Sequence, residues 1–409
     1  MGFLINHESK RMDLRFKLSG SKSESNRLLI LKSLYRNMSI KNISRSNDTL
    51  TLIKNLENLN SRINVGHAGT AMRFLTAFLS IQNGKTFEIF GSERMHKRPI
   101  GPLVEALNSI GANIKYLEKK GFPPLKIEGK KMKKNNLSIR GNVSSQFISA
   151  LLLISPMIEK GLNINIEGDI TSKPYLDMTL FFLKKLGVKT IFEKNKIQVF
   201  ETKRIKDFKY EIESDWSSLS YFFSIVSLSQ NASLRISNFR KNTIQGDKRL
   251  IQIYKRLGVS SSFYKNSIVL TKDSNNGIAQ KINLDLNDCP DIAQTIAVNC
   301  FGLGIPCDLF GLHTLKIKET DRLLALKNEL EKLGASIKIT ENSLHLSKSK
   351  NINSNVKIRT YDDHRMAMSF APLGLKTPII IENPNVVEKS FSDFWDILKD
   401  LKFEISKSK

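Results

Sequence analysis

The sequence predicts an α/β protein made of six related units in two domains. Amphipathic helices that end in Leu-Gly-Val or a close variant are followed by alternating strands, and the glycines of these copies lie 76, 71 and 76 residues apart, at Gly111, Gly187, Gly258 and Gly334. Weaker copies lie at residues 55–63 and 398–405. A period this long indicates a duplicated α/β unit rather than a solenoid. The length of 409 residues suits two domains of ordinary size.

The repeated glycines occupy the position that ends a helix. Glycine is favoured there because the chain takes a positive φ directly after the last helical residue. The helix predicted over residues 321–333 illustrates the pattern, since Thr320 or Asp321 caps its start, leucines at helical spacing form one face, and Gly334 ends it. Alternating residues predict strands at 162–166, 209–212 and 267–270. No low-complexity linker marks the domain boundary.

The composition is that of a soluble, reduced protein of the cytoplasm. Hydrophobic residues make up 40% of the chain, and no apolar run is long enough for a membrane span or a signal peptide. The three cysteines include no Cys-x-x-Cys pair and the six histidines no metal-spaced pair, which argues against a disulfide framework or a metal site. The net charge of +25 raises nucleic-acid binding as a hypothesis. The lysines are spread along the chain, however, so we expect the charge to attract a polyanionic small molecule instead.

The stretch from residue 19 to residue 27, Ser-Gly-Ser-Lys-Ser-Glu-Ser-Asn-Arg, is the first candidate for a binding site. It joins a predicted strand to a helix opened by Ser23, and it carries Lys22 and Arg27. The free N–H groups and the dipole of a first helical turn attract phosphate or carboxylate. The spacing is not that of a P-loop. Alone, the stretch is better explained as a capped helix with two solvated cations.

Similar polar motifs stand at the predicted starts of other helices. Acids and hydroxyls are ordinary there, but cations oppose the helix dipole. Repeated cations at such positions indicate a site for a ligand with several negative charges; they are Arg27, Arg73, Lys318, Arg322 and Arg365. Asp291 and Glu319 are the candidates for proton transfer among them. A carboxylate among cations has a lowered pKa, which favours a role as a base.

These motifs resemble the EPSP synthase (3-phosphoshikimate 1-carboxyvinyltransferase) family of enolpyruvyl transferases. SGSKSESNR, GHAGTAMRFL, KRPIG, NVSSQF, SKPY, QGD, PD, KETDRL and YDDHRMAM occur in the family's order over nearly the whole chain. The resemblance implies two similar domains of three βαβαββ-type units each, with the active site in the cleft between them. The first domain would comprise residues 1–20 plus 214–409 and the second residues 21–213. The implied reaction moves the carboxyvinyl group of phosphoenolpyruvate to the 5-hydroxyl of shikimate 3-phosphate, with no metal or organic cofactor, in a monomer that binds neither nucleic acid nor membrane.

The resemblance also implies roles for individual residues. Asp291 would be the base, and Glu319 or Lys22 would handle the proton at the methylene carbon. The residues that would bind shikimate 3-phosphate are Lys22, Ser23, Arg27, Ser144, Ser145, Gln146, Ser172, Tyr175, Asp291 and Lys318. Those that would bind phosphoenolpyruvate are Lys22, Gly69, Arg98, Gln146, Arg322, Arg365 and Lys389.

The chain departs from the family pattern at a few positions. His67 stands where Asn is usual, Phe74 replaces a common Pro, and Thr314 lies where a substrate-contacting Asn is usual. The segment near residues 46–65 is shorter than in the family, as though one repeat unit were trimmed. These departures concern the surroundings of phosphoenolpyruvate, the response to glyphosate and the shape of the second domain.

Two other functions remain as alternatives. The enolpyruvyl transferase that acts on UDP-N-acetylglucosamine usually has a reactive Cys in a mobile loop and Lys-Asn early in the chain, whereas here no Cys precedes Cys289 and Ser23 follows Lys22. The second alternative is an inactive or nucleic-acid-binding relative, which the charge suggests and the retained candidate residues oppose. A purely structural protein gives no reason for cations at helix starts.

Overall fold

The structure, a computed structural model, describes residues 2–8, 11–273 and 277–408. It consists of two compact units, which we call the first unit (Met1–Ser19 with Glu213–Lys409) and the second unit (Gly20–Ile212). No helix in the described residues is long and apolar enough to cross a membrane.

The strands and helices alternate along most of the chain. The strands are β1 (Gly2–Asn6), β2 (Arg11–Lys17), β3 (Met38–Lys41), β4 (Arg62–Asn64), β5 (Thr86–Phe90), β6 (Asn113–Tyr116), β7 (Leu125–Glu128), β8 (Asn136–Arg140), β9 (Leu162–Glu167), β10 (Thr190–Glu193), β11 (Lys196–Val199), β12 (Phe208–Glu211), β13 (Asn231–Ser237), β14 (Val259–Tyr264), β15 (Ser267–Lys272), β16 (Ile282–Asp285), β17 (Cys307–Phe310), β18 (Ile337–Ile339), β19 (Ser343–Leu346), β20 (Val356–Ile358), β21 (Ile379–Glu382) and β22 (Glu404–Ser408). The helices are α1 (Lys22–Leu34), α2 (Asn47–Glu57), α3 (Gly69–Ser80), α4 (Glu93–His96), α5 (Gly101–Ser109), α6 (Ser145–Ile154), α7 (Lys173–Lys185), α8 (Trp216–Leu228), α9 (Leu250–Lys255), α10 (Ala293–Gly302), α11 (Arg322–Lys332), α12 (His364–Phe370) and α13 (Phe394–Asp400).

One βαβαββ unit recurs with the same strand order. In the sheet β16-β17-β19-β18, β16 and β17 are parallel and joined through α10, while β18 and β19 form an antiparallel hairpin after α11. Parallel neighbours need a crossover of this kind, whereas a hairpin needs only a short turn. The sheets β4-β5-β7-β6 and β8-β9-β11-β10 repeat the arrangement in the second unit. The fold is therefore the α/β fold of repeated units that the sequence predicts.

The chain passes between the units twice, and distant strands complete the sheets on either side. β2 leads into α1 of the second unit, yet pairs in parallel with β13 over its whole length. β12 leads into α8 of the first unit, yet pairs in parallel with β3. β1 closes the sheet β20-β21-β1-β22 between strands from the C-terminal end of the chain. No local sequence signal marks such pairings.

The sheet of β3 and β12 has two strands, whereas the other sheets of the described residues have four. Helix α2 ends at Glu57, and β4 of the next sheet begins at Arg62. The residues between them leave no room for an antiparallel strand pair like β6–β7, β10–β11, β14–β15 or β18–β19.

The repeated glycines end helices with a positive φ, as predicted. Their φ angles are 109°, 84°, 77° and 99° at Gly111, Gly187, Gly258 and Gly334. After three of them, the next N–H donates to a carbonyl five residues earlier, for example from Ala335 to Leu330 at 3.0 Å. This Schellman bond satisfies a carbonyl that the end of the helix leaves free. Lys402, in the weaker copy near the C-terminus, takes the same conformation with a φ of 69°.

Three buried helices form the centre of each unit, and the N-termini of most of them carry predicted site residues. In the first unit α8, α10 and α12 pack together and are apolar on most sides. Hydroxyl groups join them, because Ser220 lies 3.2 Å from Thr295, which lies 3.3 Å from Ser369. In the second unit α1, α3 and α6 take the corresponding places. Helices buried on all sides leave mainly their ends for polar chemistry.

Candidate active site

A group of charged side chains gathers at the helix starts of the first unit. We call it the cation–carboxylate cluster, and it consists of Asp291, Lys318, Glu319, Arg322, Asp363, Arg365 and Lys389. Its residues come from the turn before α10, the segment that opens α11, the start of α12 and the turn after β21. Six of them are predicted site residues from well-separated parts of the chain.

Arg322 is the centre of this cluster. Its guanidinium donates to Asp363 at 2.6 Å, to Asp291 at 3.0 Å and to Glu319 at 2.9 Å, and its side chain is 2% exposed. The three carboxylates outweigh the effect of burial, which alone would lower the pKa of Arg322, and hold that pKa above its ordinary value. A planar guanidinium fork suits several carboxylates at once, and a lysine could not replace it.

Asp291 lies among three cations. Arg322 contacts one carboxylate oxygen at 3.0 Å, Arg365 the other at 3.3 Å, and Lys318 lies 3.6 Å away. Arg365 also donates to the backbone carbonyl of Asp291 at 3.0 Å. Burial alone would raise the pKa of Asp291, but these cations hold it well below its usual range. Asp291 is therefore an ionised carboxylate at neutral pH, able to accept a proton.

Glu319 bridges two further cations of the cluster. One carboxylate oxygen accepts from Arg322 at 2.9 Å and the other from Lys389 at 2.9 Å. The cluster thus holds four cations and three carboxylates, with one positive charge in excess. An anionic ligand can take over some of these cations, and the displaced carboxylates then become available for proton transfer.

Arg27 organises a second group of predicted residues, in the second unit. Its guanidinium donates to the hydroxyls of Thr179 at 2.7 Å and Ser149 at 3.0 Å, and to the carbonyl of Tyr175 at 3.2 Å. No carboxylate accepts a hydrogen bond from it among the described residues. Burial lowers its pKa to about 10, so that it stays charged at neutral pH. A buried cation with only neutral hydrogen-bond acceptors suits an anionic ligand.

Lys22 opens helix α1 and contacts a carboxylate. Its ammonium lies 3.1 Å from Asp48, whose side chain is 6% exposed. The helix begins at Lys22 and its N-cap is Ser21, so the prediction that Ser23 opens the helix was wrong by one residue. The Ser21 oxygen accepts from Glu24 N, the ordinary capping bond, and Ser23 lies in the first turn.

Arg98 lies directly over the first residue of α3. A Cβ atom built on Gly69 would lie 2.5 Å from Nη1 of Arg98, so only glycine permits this approach. Thr70, the next residue, accepts from the Gln146 amide at 3.3 Å, which joins the starts of α3 and α6. Gly69, Arg98 and Gln146 are thus placed around two neighbouring helix N-termini.

The predicted serines stand at the starts of α6 and α7. The Ser144 hydroxyl caps α6 by accepting from Gln146 N at 3.3 Å, and Ser145 is the first helical residue. Ser172 precedes α7 with a φ of 56°, a left-handed conformation that is uncommon for serine. Such conformations gather at functional sites, where the surrounding structure enforces them.

The residues that depart from the family pattern have distinct surroundings. The ring of Phe74 lies 5.4 Å from the Arg27 guanidinium carbon, within cation–π range. His67 is exposed and lies 3.0 Å from the Ser92 hydroxyl. Thr314 is buried, and its hydroxyl has no hydrogen-bond partner among the residues that the structure describes.

Comparison with known proteins decides the family. The family model for EPSP synthase (3-phosphoshikimate 1-carboxyvinyltransferase) matches residues 54–398. The 3-phosphoshikimate 1-carboxyvinyltransferase of Bacteroides fragilis is 39% identical over 409 residues, covering 99% of each chain. The chain belongs to the EPSP synthase family. A Neisseria meningitidis enzyme of the same name is 34% identical over 94% of this chain and 95% of its own.

Solved structures show the same fold. The EPSP synthase of Acinetobacter baumannii superposes with a TM-score of 0.78 at 20% identity, covering 99% of this chain and 100% of that one. The enolpyruvyl transferase NikO of Streptomyces tendae gives 0.76 at 12% identity, covering 100% and 99%. The two-domain enolpyruvyl transferase fold predicted from the sequence is thereby confirmed.

The EPSP synthase motifs did not identify every residue that organises the clusters. Asp363 pairs with Arg322, and Asp48 pairs with Lys22. Ser149 and Thr179 supply hydroxyls to Arg27. Of these residues only Asp363 lies within a motif, YDDHRMAM, where it also caps α12 through Arg365 N at 2.9 Å. The other three carried no sequence signal, because ordinary helix composition explains each of them.

Proposed function

We propose that this chain transfers the carboxyvinyl group of phosphoenolpyruvate to the 5-hydroxyl of shikimate 3-phosphate, giving 5-enolpyruvylshikimate 3-phosphate and phosphate. The reaction belongs to the shikimate pathway of aromatic amino-acid biosynthesis, and the chain would act as a monomer in the cytoplasm. Family membership supports the reaction. The observation that carries the proposal is Asp291, an ionised carboxylate held among Lys318, Arg322 and Arg365 beside Glu319.

Asp291 would act as the base for the 5-hydroxyl. Its low pKa makes it a weak base, yet the hydroxyl becomes acidic as it attacks a cationic carbon, so a weak base suffices. Lys318, 3.6 Å from Asp291, would hold the hydroxyl in place. Fixed cations in a closed site also stabilise the charge that develops on the departing phosphate.

Glu319 would supply the proton to the methylene carbon of phosphoenolpyruvate. Protonation at that carbon creates the cationic centre that the hydroxyl then attacks, giving a tetrahedral intermediate. Loss of phosphate, together with return of a proton from the new methyl group to the carboxylate, would then restore the vinyl double bond. Glu319 contacts Arg322 and Lys389, both proposed to bind phosphoenolpyruvate, so binding of this substrate would release the carboxylate for proton transfer. Lys22 is the alternative donor.

The remaining residues would divide between the two substrates. Buried Arg27 and the hydroxyls at the starts of α6 and α7 suit the phosphate of shikimate 3-phosphate; the full set is Lys22, Ser23, Arg27, Ser144, Ser145, Gln146, Ser172, Tyr175, Asp291 and Lys318. The carboxylate and phosphate of phosphoenolpyruvate would take the set Lys22, Gly69, Arg98, Gln146, Arg322, Arg365 and Lys389.

Release of phosphate by the purified protein tests the proposed reaction. We expect release from phosphoenolpyruvate only when shikimate 3-phosphate is also present. Release that requires UDP-N-acetylglucosamine instead would identify the other enolpyruvyl transferase. A folded protein that releases no phosphate with either acceptor would be an inactive relative, and the proposal would be wrong.

Gly69→Ala tests the role of Arg98. The added Cβ would lie 2.5 Å from Arg98 Nη1, so the guanidinium must move away from the start of α3. Because a charge-assisted hydrogen bond contributes about 1.5–3 kcal/mol, we expect KM for phosphoenolpyruvate to rise by about tenfold or more, with a smaller change in kcat. Steady-state kinetics with phosphoenolpyruvate varied would measure both constants.

Gly101→Ala is the matched control. Gly101 is the first residue of α5, as Gly69 is of α3, but a Cβ there meets its nearest atom at an ordinary 3.4 Å. We expect its KM to stay near that of the wild type. Equal KM values for the two variants would contradict the proposal that Arg98 binds phosphoenolpyruvate.

A further inference from the structure

Asp247 is a buried carboxylate tied to the start of α8. Its side chain accepts a hydrogen bond from the Ser217 hydroxyl at 2.5 Å, and the residue is 4% exposed. The preceding Gln245 holds the same helix start, because its amide oxygen accepts from Trp216 N at 3.0 Å and its amide nitrogen donates to the Ser214 carbonyl at 3.0 Å. The position of Asp247 relative to α8 is therefore fixed.

The turn that carries Asp247 also holds the loop that leads to Asp291. Arg249, two residues later, donates to the Asp285 carbonyl at 2.7 Å and lies 3.8 Å from the Cys289 sulfur. Cys289 and Asp291 belong to one short segment, in which the turn Pro290–Ile292 precedes α10. The turn Gly246–Arg249 thus bridges the start of α8 and the segment of Asp291.

The charged groups around Asp247 come from several elements. Burial raises its pKa to about 7; the Ser217 hydrogen bond opposes this shift, Asp291 and Asp215 reinforce it, and Arg365 opposes it. Arg249 follows on the same turn, while burial raises the pKa of the Cys289 thiol to about 12 and leaves it neutral. Asp247 is therefore a carboxyl group that changes charge near neutral pH, within electrostatic range of Asp291.

We propose that Asp247 is a positioning residue for the acid–base step, which it controls through Asp291 and not by touching the substrate. This inference rests on the proposed function, with Asp291 as the base. When Asp247 is ionised, its negative charge raises the proton affinity of Asp291 and makes it a better base. When Asp247 is protonated, Asp291 faces only the cations of the cluster and holds a proton less well.

The pH dependence of kcat for phosphate release tests this role. In the wild type we expect kcat to rise with pH along a limb whose midpoint lies near the pKa of Asp247, about 7. Asp247→Asn stays neutral at every pH, so we expect the limb to disappear and kcat at pH 8 to fall to the level that the wild type shows at the low-pH end of its profile. The KM values for both substrates should change less than kcat, since Asp247 does not touch them.

Ser217→Ala provides a second, milder test. Its hydroxyl lowers the pKa of Asp247, so removing it should move the midpoint of the limb to higher pH while the limb itself remains. Asp308→Asn is the matched control, because Asp308 is a partly buried carboxylate of the same unit that pairs with Lys281 and His345. It should keep the wild-type profile.

The possible results distinguish a failure of the inference about Asp247 from a failure of the proposed function. A limb with an unchanged midpoint in Asp247→Asn, or an unmoved midpoint in Ser217→Ala, would overturn the inference. A wild type that releases no phosphate at any pH would instead overturn the proposed function. The pKa of Asp247 is higher in the folded chain than in the unfolded chain, so stability is lost as pH rises from the unfolded value to about 7. Asparagine carries no charge and avoids this loss, so Asp247→Asn should melt no lower than the wild type at pH 8. If Asp247→Asn nevertheless fails to fold, the midpoint in Ser217→Ala decides alone.

Discussion

Arg322→Ala is expected to lower the free energy of unfolding of the first unit by about 3–5 kcal/mol, because it leaves buried carboxylates without their cation. Arg322 is 2% exposed and contacts Asp291, Glu319 and Asp363, of which Asp363 is fully buried. Asp291 and Glu319 keep other cations, but Asp363 loses both hydrogen bonds from the guanidinium. Phosphate release should also fall to background, since the cluster loses its centre.

Tryptophan fluorescence during urea unfolding measures the stability of the first unit, which contains Arg322. The chain has two tryptophans, Trp216 and Trp395, and both are buried in the first unit. With a slope of about 1–3 kcal/mol per molar urea, the midpoint should fall by about 1 M or more. Arg256→Ala is the control, because Arg256 is exposed and its guanidinium donates to the Lys281 carbonyl at 3.3 Å, with no carboxylate as acceptor in the described residues. Its stability should change by no more than about 0.5 kcal/mol; equal losses in both variants would contradict the central role of Arg322.

Local sequence rules were sufficient for the repeated elements of the fold. Gly258 and Gly334 show why, since a positive φ after a helix restricts the residue choice at that one position. Helix α11 begins after its Asp321 cap, whose carboxylate accepts from Leu323 and Leu324 N at 3.1 Å each. Capping, periodicity and termination act over a few residues, so a single sequence records them.

Pairings between distant segments could not be predicted in the same way. The parallel ladder of β2 with β13 and that of β3 with β12 join strands far apart in the chain. Likewise, Arg27 donates hydrogen bonds to Ser149 and Thr179, which lie 122 and 152 residues away in the sequence. Such contacts depend on how the helices pack. The sequence around a serine in an apolar helix does not indicate which distant residue that serine contacts.

The candidate site was predicted as a set of cations with two acids, Asp291 and Glu319, among them. The structure shows which cations each acid contacts and adds a third acid, Asp363. An arginine at a helix start opposes the helix dipole, which is why Arg322 and Arg365 stood out in the sequence. In the structure Asp363 and Asp291 offset that cost by direct contact. Charge balance of this kind is a tertiary property, because the acid and the cation lie on different helices.

Asp291→Asn is expected to lower kcat for phosphate release by about 10²–10⁴-fold, the usual effect of losing a general base. The amide keeps the shape of the carboxylate but cannot accept the hydroxyl proton. The change also removes a negative charge from among Lys318, Arg322 and Arg365, so anionic substrates should bind equally well or more tightly. A large fall in kcat with an unchanged or lower KM for phosphoenolpyruvate is thus the expected pattern.

Initial rates with each substrate varied distinguish this pattern from a loss of folding or binding. Asp308→Asn, which removes a carboxylate paired with Lys281 and His345 at the sheet surface, should keep both constants near wild-type values. Because the pKa of Asp291 lies well below its usual range, the group is ionised throughout the neutral range and adds no limb of its own to the pH profile. An Asp291→Asn enzyme that keeps kcat within tenfold of the wild type would exclude Asp291 as the base, and Glu319 would then be the carboxylate to test in that role.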